Sequence, residues 1–175
     1  ASANPILQVG ATPVFADSRA DTWQLDAVDV KAKITPKTKA NMVVHLYGHP
    51  CDMDAIMAIA KDFNLFVIED CAEAIGSEYK GKKVGSFGDV ACFSFFGNKT
   101  ITCGEGGMVL TNSDYLYGRL VHFKGQGLAK YREYWHDTMG YNYRMTNIEA
   151  AIGMAQFEQV EDFISRKQNV ARWYK

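Results

Sequence analysis

The sequence predicts an α/β fold with a mostly parallel sheet flanked by helices, and three observations predict it. NMVVHLYG (41–48), LFVIED (65–70) and VACFSFF (90–96) are nearly continuous apolar runs, as in strands buried on both faces of a parallel sheet. CDMDAIMAIAKDFN (51–64) lies between the first two and carries Ile56, Ile59, Ala60 and Phe63 at the i, i+3, i+4, i+7 spacing of an amphipathic helix. Strand and helix signals alternate along the chain, the order that builds parallel crossovers.

Each element follows from local chemistry. ANPILQVG reads as a helix end, with Gly10 suited to the left-handed position after the last turn. TPVFAD (12–17) is expected as a short strand, LDAVDVKAKI (25–34) as a weak helix and PKTKA as a turn. Asp52 or Asp54 caps helix 51–64. SEYKGKKVGSFGD (77–89) reads as a polar hairpin with glycine turns, and GGMVLT (106–111) as a fourth strand. SDYLYGRLVHFKG (113–125) is a helix capped by Ser113. Residues 124–144 form a long loop rich in Gly, Tyr, Trp and His. Loops beyond about 12–15 residues are usually functional or disordered, and the aromatic content argues against disorder. The last helix opens with a T-x-x-E capping box, Thr146 and Glu149. Ile148, Ile152, Ala155, Val160, Phe163 and Ile164 mark its apolar side. No repeat or low-complexity tract interrupts this order.

The bulk numbers fit one globular domain. The chain has 175 residues, 47% hydrophobic and 22% charged, enough for a core and too apolar for disorder. The formal net charge of −1, with both signs dispersed, recommends neither nucleic acid nor an anionic membrane as partner. No run approaches the roughly 20 apolar residues needed to span a bilayer. Cys51, Cys71, Cys92 and Cys103 form no CxxC pair, and three lie in or beside apolar runs. Free thiols in a reducing, cytoplasmic compartment are expected. His45, His49 and Cys51 lie close in sequence, but no fourth ligand with zinc-like spacing follows, so a strand end running into a loop is the better reading and no metal is expected. The chain opens ASANPIL without Met and stops while still helical, so both ends read as cuts through a larger protein.

Ligands of such sheets sit beyond the carboxyl ends of the strands, which directs attention to 45–48, 69–73 and 97–99. In VIEDCAEAIG the strand delivers Asp70 to the sheet end. A carboxylate there can cap the following turn, or it can hold a cationic ring nitrogen. Glu73, three residues on, faces the same pocket if a helical turn starts there. In FSFFGNKT, Lys99 follows a buried strand by three residues. Alone it reads as a surface lysine. Together with Asp70 it gives the pair that a pyridoxal phosphate enzyme needs: an amine for the cofactor aldehyde, and a carboxylate that keeps the ring nitrogen protonated. Ser94 is either a satisfied core serine or a phosphate contact, while Gly97 and Gly104 to Gly107 allow close backbone approach. GEGG and GQG lack the G-x-G-x-x-G spacing of a dinucleotide site.

EDCAEA, FSFFGNKT, GEGGM and YNYRMTNI together resemble the DegT/DnrJ/EryC1/StrS aminotransferases, over about the whole chain. The resemblance implies the large domain of a fold-type I pyridoxal phosphate transferase. Residues 1–175 would be part of it, with an N-terminal segment and a C-terminal small domain lying outside the chain. It implies Lys99 as the Schiff-base lysine, Asp70 on the ring nitrogen and Ser94 on the phosphate. Glu73 would stand beside the ring hydroxyl, where many members carry Gln. Asn142 would reach the phosphate of the neighbouring subunit's cofactor, which implies a homodimer with a shared active site. The implied reaction moves an amino group, from glutamate, to C4 of a nucleotide-linked 4-keto-6-deoxy sugar, GDP-linked in the branch most alike. A UDP- or dTDP-linked ketosugar and a non-catalytic fragment are the alternatives. The related 3-dehydratases carry His in place of the lysine, and Lys99 argues against that branch. Tyr131, Tyr134, Trp135 and His136 in the long loop read equally as nucleotide-sugar contacts or as dimer packing.

Overall fold

The computed structural model describes residues 1–174. Its centre is a four-stranded sheet. Strands β1 (Ala40–Val44), β2 (Phe66–Asp70) and β5 (Val90–Ser94) run parallel, and β6 (Gly107–Leu110) closes one edge antiparallel to β5. The short hairpin β3 (Glu78–Tyr79) and β4 (Lys82–Lys83) joins β2 to β5. Helices α1 (Ala3–Gln8), α2 (Ala27–Lys33), α3 (Met53–Phe63), α4 (Asp114–Lys124), α5 (Asn147–Phe157) and α6 (Val160–Trp173) complete the order.

Register divides the sheet into two unlike faces. Val43 pairs with Glu69, and Glu69 with Ala91, so these three point the same way as Val67, and all are fully buried. Met53, Ile56, Ile59 and Ala60 of α3 share one core cluster with Val43 and Val67. The alternate residues Val44, Asp70, Cys92 and Ser94 point to the opposite face and are only half-buried. Two adjacent acids of one strand thus have different environments: Glu69 enters the core and Asp70 faces the open side.

Caps fix the helix ends. Asp52 accepts from the Ala55 amide at 3.2 Å and so caps α3. Ser113 caps α4, and Thr146 and Glu149 form the expected box on α5. After α1, Gly10 adopts φ 76°, its amide donates to the Leu7 carbonyl, and the Ala11 amide reaches back to Ile6. These are the paired bonds of a Schellman end.

Three expectations are corrected. TPVFAD forms no ladder strand; only Ser18 bridges Leu25 beyond it, and Val14 and Phe15 stay exposed with no strand beside them among the described residues. The strand predicted over 41–48 stops at Val44, because Leu46–Gly48 turns as a 3-10 segment with Tyr47 at φ 55°. The single last helix is two, α5 and α6, with the break at Glu158 and Gln159, whose side chain bonds back to the Ala155 carbonyl at 2.9 Å.

Glu69 locks the strand ends that carry the site. Its Oε1 accepts from the Phe87 and Gly88 amides at 2.8 and 2.6 Å, and its Oε2 from the Gly85 amide at 2.7 Å. His45 Nε2 lies 3.1 Å from Oε2, while the Cys51 amide donates to His45 Nδ1 at 3.2 Å. An acceptor at Nδ1 puts the ring proton on Nε2, which donates to Glu69. Burial pushes the Glu69 carboxyl up, but the His45 bond and the three amides outweigh it and hold it below its usual value. Its contribution to stability is therefore full above pH 4.5, the ordinary value, and is lost as pH falls through the lower folded value. Glu69→Gln places an NH2 against donors that need an acceptor. A loss of about 3 kcal/mol in unfolding free energy is expected at neutral pH, measured by denaturant titration of the full-length protein. The gap to wild type should narrow on acidification to about pH 3. A gap that stays constant over that range contradicts the assignment.

Candidate active site

The open face of the sheet collects the predicted residues at its carboxyl end. Asp70 ends β2. Its Oδ1 accepts from the Ala72 amide at 3.1 Å, which turns the chain out of the strand. Its Oδ2 accepts from the Ser2 hydroxyl at 2.7 Å. Glu73 sits in the following turn. Its Oε2 accepts from the Tyr47 amide at 2.8 Å and so supports the left-handed backbone of Tyr47. Gly48, at φ 78°, lies so close to this turn that a Cβ there would stand 3.0 Å from the Glu73 carbonyl.

Lys99 enters from the turn after β5, where its amide donates to the Phe96 carbonyl at 3.0 Å. Its side chain is 21% exposed, and Nζ stands 3.8 Å from Glu73 Oε1. That distance is electrostatic contact without a hydrogen bond, so the amine is held near the pocket and remains available. Ser94 lies two residues past Cys92, the register partner of Asp70, and therefore faces the same side. Its Oγ accepts from the Phe96 amide at 3.3 Å, which leaves its own proton to donate. Asp70, Glu73, Ser94 and Lys99 thus converge on one end of the sheet.

Asn142 does not join them. It is exposed on the long loop, bridged through its backbone to Gly125. That loop has its own architecture. Leu128 bridges His136, the Ala129 amide donates to the Trp135 carbonyl at 2.8 Å, and His122 Nε2 lies 2.8 Å from Asp137 Oδ1. Its aromatic tip points outward, with Tyr134 93% exposed.

Gly106 and Gly107 are closely packed as expected, whereas Gly104 is not. A Cβ at Gly107 would stand 2.7 Å from the Phe93 carbonyl, and one at Gly106 would stand 3.0 Å from Cys103 Sγ. At Gly104 a Cβ would meet nothing within 4 Å, and its φ of 90° is what asks for glycine there.

The thiols offer no nucleophile or ligand. Burial pushes Cys51 up to about 11. Burial, followed by the charges of Glu69 and Asp70, pushes Cys71 up still further. His45, Glu69 and Cys71 place ligand-type atoms within 4.8 Å of one another. However, both His45 nitrogens and both Glu69 oxygens are engaged in hydrogen bonds, and the thiol stays protonated. Hydrogen bonding rather than metal coordination explains this cluster. The His45, His49 and Cys51 grouping resolves the same way, since the Cys51 amide occupies His45 Nδ1.

Sequence reasoning missed Ser2, the backbone role of Tyr47 and the Glu69–His45 lock. Gly48, at φ 78°, is the local signal that points to the Tyr47 turn, although the run 41–48 reads as strand.

The fold and the converging residues define a class first. An aminotransferase from Psychrobacter cryohalolentis superposes with a TM-score of 0.86 at 41% identity, over 92% of this chain and 44% of that one. A structure described as a sugar aminotransferase from Streptococcus pneumoniae, in its PLP form, gives 0.90 at 31% identity, over 99% and 50%. This is the α/β fold of the PLP-dependent sugar aminotransferases. The chain belongs to the DegT/DnrJ/EryC1/StrS aminotransferase family, which it matches over residues 1–175. It is 67% identical over 175 residues to the GDP-perosamine synthase of Escherichia coli O157:H7, covering all of this chain and 48% of that protein. The chain spans about half the length of the relatives it matches. Among the described residues, no helix is long and apolar enough to cross a membrane.

Proposed function

We propose that this chain carries the cofactor-side residues of an aminotransferase acting on a nucleotide-linked 4-keto-6-deoxy sugar. Residues 1–175 would then be part of the cofactor-binding large domain. The observation that carries the reading is Lys99, an amine held 3.8 Å from a carboxylate without a hydrogen bond, at the sheet end that also presents Asp70.

The donor set fits pyridoxal phosphate. Asp70 offers a carboxylate to a ring nitrogen, Ser94 a free hydroxyl proton to a phosphate, and Lys99 an amine to an aldehyde. When bound, that cofactor supplies an electron sink for breaking a C–H bond beside an amine. Lys99 would hold it through its amine and would move a proton at the substrate carbon. Asp70 would hold positive charge at the ring nitrogen. Glu73 keeps Lys99 near its working position and fixes the Tyr47 turn. Asn142, exposed and away from the other four, fits a role across a homodimer, at the phosphate held by the other subunit. Four free thiols agree with a cytoplasmic setting.

GDP-perosamine as product is supported by the 67% identity to the Escherichia coli relative of that name, and glutamate as donor with a GDP-linked 4-keto-6-deoxymannose as acceptor are the substrates the family resemblance implies. The test is amine transfer by the full-length protein, loaded with cofactor, to a panel of GDP-, UDP- and dTDP-linked ketosugars. Product with the GDP sugar, and glutamate-driven bleaching of a yellow protein, are expected. A protein that bleaches but aminates a UDP or dTDP sugar overturns the substrate assignment. A colourless protein without cofactor affinity overturns the enzyme reading.

A further inference from the structure

We propose that Ser2 is a positioning residue for the cofactor-facing carboxylate, its hydroxyl fixing the rotation of Asp70. The inference rests on the reading of Asp70 as the contact to the ring nitrogen.

Ser2 stands at the N-cap position of α1, where serine ordinarily accepts from an amide of the first turn. This serine does not. Its side chain makes no cap bond and lies in helical backbone, φ −57° and ψ −31°. The hydroxyl donates instead to Asp70 Oδ2 at 2.7 Å, across 68 residues of sequence. The hydroxyl is the donor and the carboxylate oxygen the acceptor. The other end of the helix closes on its own paired bonds at Gly10.

The geometry explains why two donors are needed. The terminal torsion of an aspartate is broad, with no sharp rotamer well. The Ala72 amide on Oδ1 alone leaves the carboxylate free to swing about that contact. The Ser2 hydroxyl on Oδ2 adds a second point on the other oxygen and so defines the carboxylate plane. A carboxylate has roughly four lone-pair sites. One donor on each oxygen leaves one site per oxygen for a ligand approaching from the open face. Asp70 is thus oriented and still able to accept.

The test uses the full-length protein. Ser2→Ala is expected to weaken cofactor affinity about tenfold, measured by titrating apoprotein with pyridoxal phosphate. It should also shift the pH profile of the bound cofactor's visible band and lower kcat, with KM for the nucleotide sugar unchanged. Ser2→Thr keeps the hydroxyl and should restore all of these. A serine acting only on α1 would change Tm and leave affinity and pH profile at wild-type values, and that result overturns the proposal. So does a Ser2→Thr variant as impaired as Ser2→Ala. If the wild-type protein binds no cofactor, or Asp70→Asn leaves affinity and spectrum untouched, the reading of Asp70 fails as well. If Asp70→Asn is impaired and Ser2→Ala is not, only the role of Ser2 fails.

Discussion

Lys99→Ala is expected to abolish covalent retention of the cofactor and to lower amine transfer by at least about 10^4-fold, the scale seen when the nucleophile of a catalytic unit is removed. The structure separates this from an effect on folding. Among the described residues, the Lys99 side chain makes one close ionic contact, at 3.8 Å to Glu73, and it follows a turn held by its own backbone. Truncation leaves no buried partner unsatisfied, so Tm should move little. Borohydride treatment of the full-length protein followed by mass analysis reads the chemistry directly: the wild-type chain gains the reduced cofactor, the variant does not. Lys99→Arg sharpens the test. It keeps the positive charge beside Glu73, but a guanidinium cannot give up its proton to become a nucleophile. Failure of both variants assigns the loss to the amine rather than to the charge. Cofactor still fixed by borohydride in Lys99→Ala would place the covalent link on another residue.

The legible part of this fold was the part with a dominant local signal. Apolar runs at 41–48, 65–70 and 90–96 mark strands because few other structures bury so many consecutive side chains. Asp52, Ser113 and the Thr146–Glu149 pair mark helix starts because their oxygens answer unpaired amides. Features that depend on a distant partner were not legible. TPVFAD has strand-like residues, yet a strand exists only where a neighbour pairs with it. The break between α5 and α6 shows only as an imperfection in the apolar pattern, the five-residue step from Ala155 to Val160.

The site divides along the same line. Asp70, Ser94 and Lys99 follow from knowing where strands end. The sorting of Glu69 from Asp70 follows only partly, since alternation sends them to opposite faces without saying which face is the core. Three glycine-rich turn amides, from Gly85, Phe87 and Gly88, decide it by surrounding Glu69. Ser2 was invisible, because nothing near it in sequence announces a hydroxyl meant for a residue 68 positions away. Asn142 shows the opposite case. It was singled out by its surrounding motif, and it lies exposed on the long loop, bridged to Gly125.

Asp70→Asn is the second large effect, expected to cost about 10^2- to 10^3-fold in kcat, the range for deleting one preorganised electrostatic group. The side chain keeps its shape. Its oxygen can still accept from the Ala72 amide, and its NH2 can still meet Ser2 Oγ, now as donor. The half-buried setting therefore loses charge without losing contacts, and a Tm close to wild type is expected. What is lost is the full negative charge that, on the proposed reading, would stand opposite the ring nitrogen, where it would matter most as electrons flow toward the ring. The deficit should accordingly fall on kcat more than on KM for the nucleotide sugar. Near-normal turnover would reduce Asp70 to a cap for the turn at Ala72. A double-mutant cycle ties this to Ser2. If the hydroxyl acts through the carboxylate, Ser2→Ala in the Asp70→Asn background should weaken cofactor affinity much less than the roughly tenfold expected in wild type. Independent, multiplicative losses would mean that the two residues contribute separately.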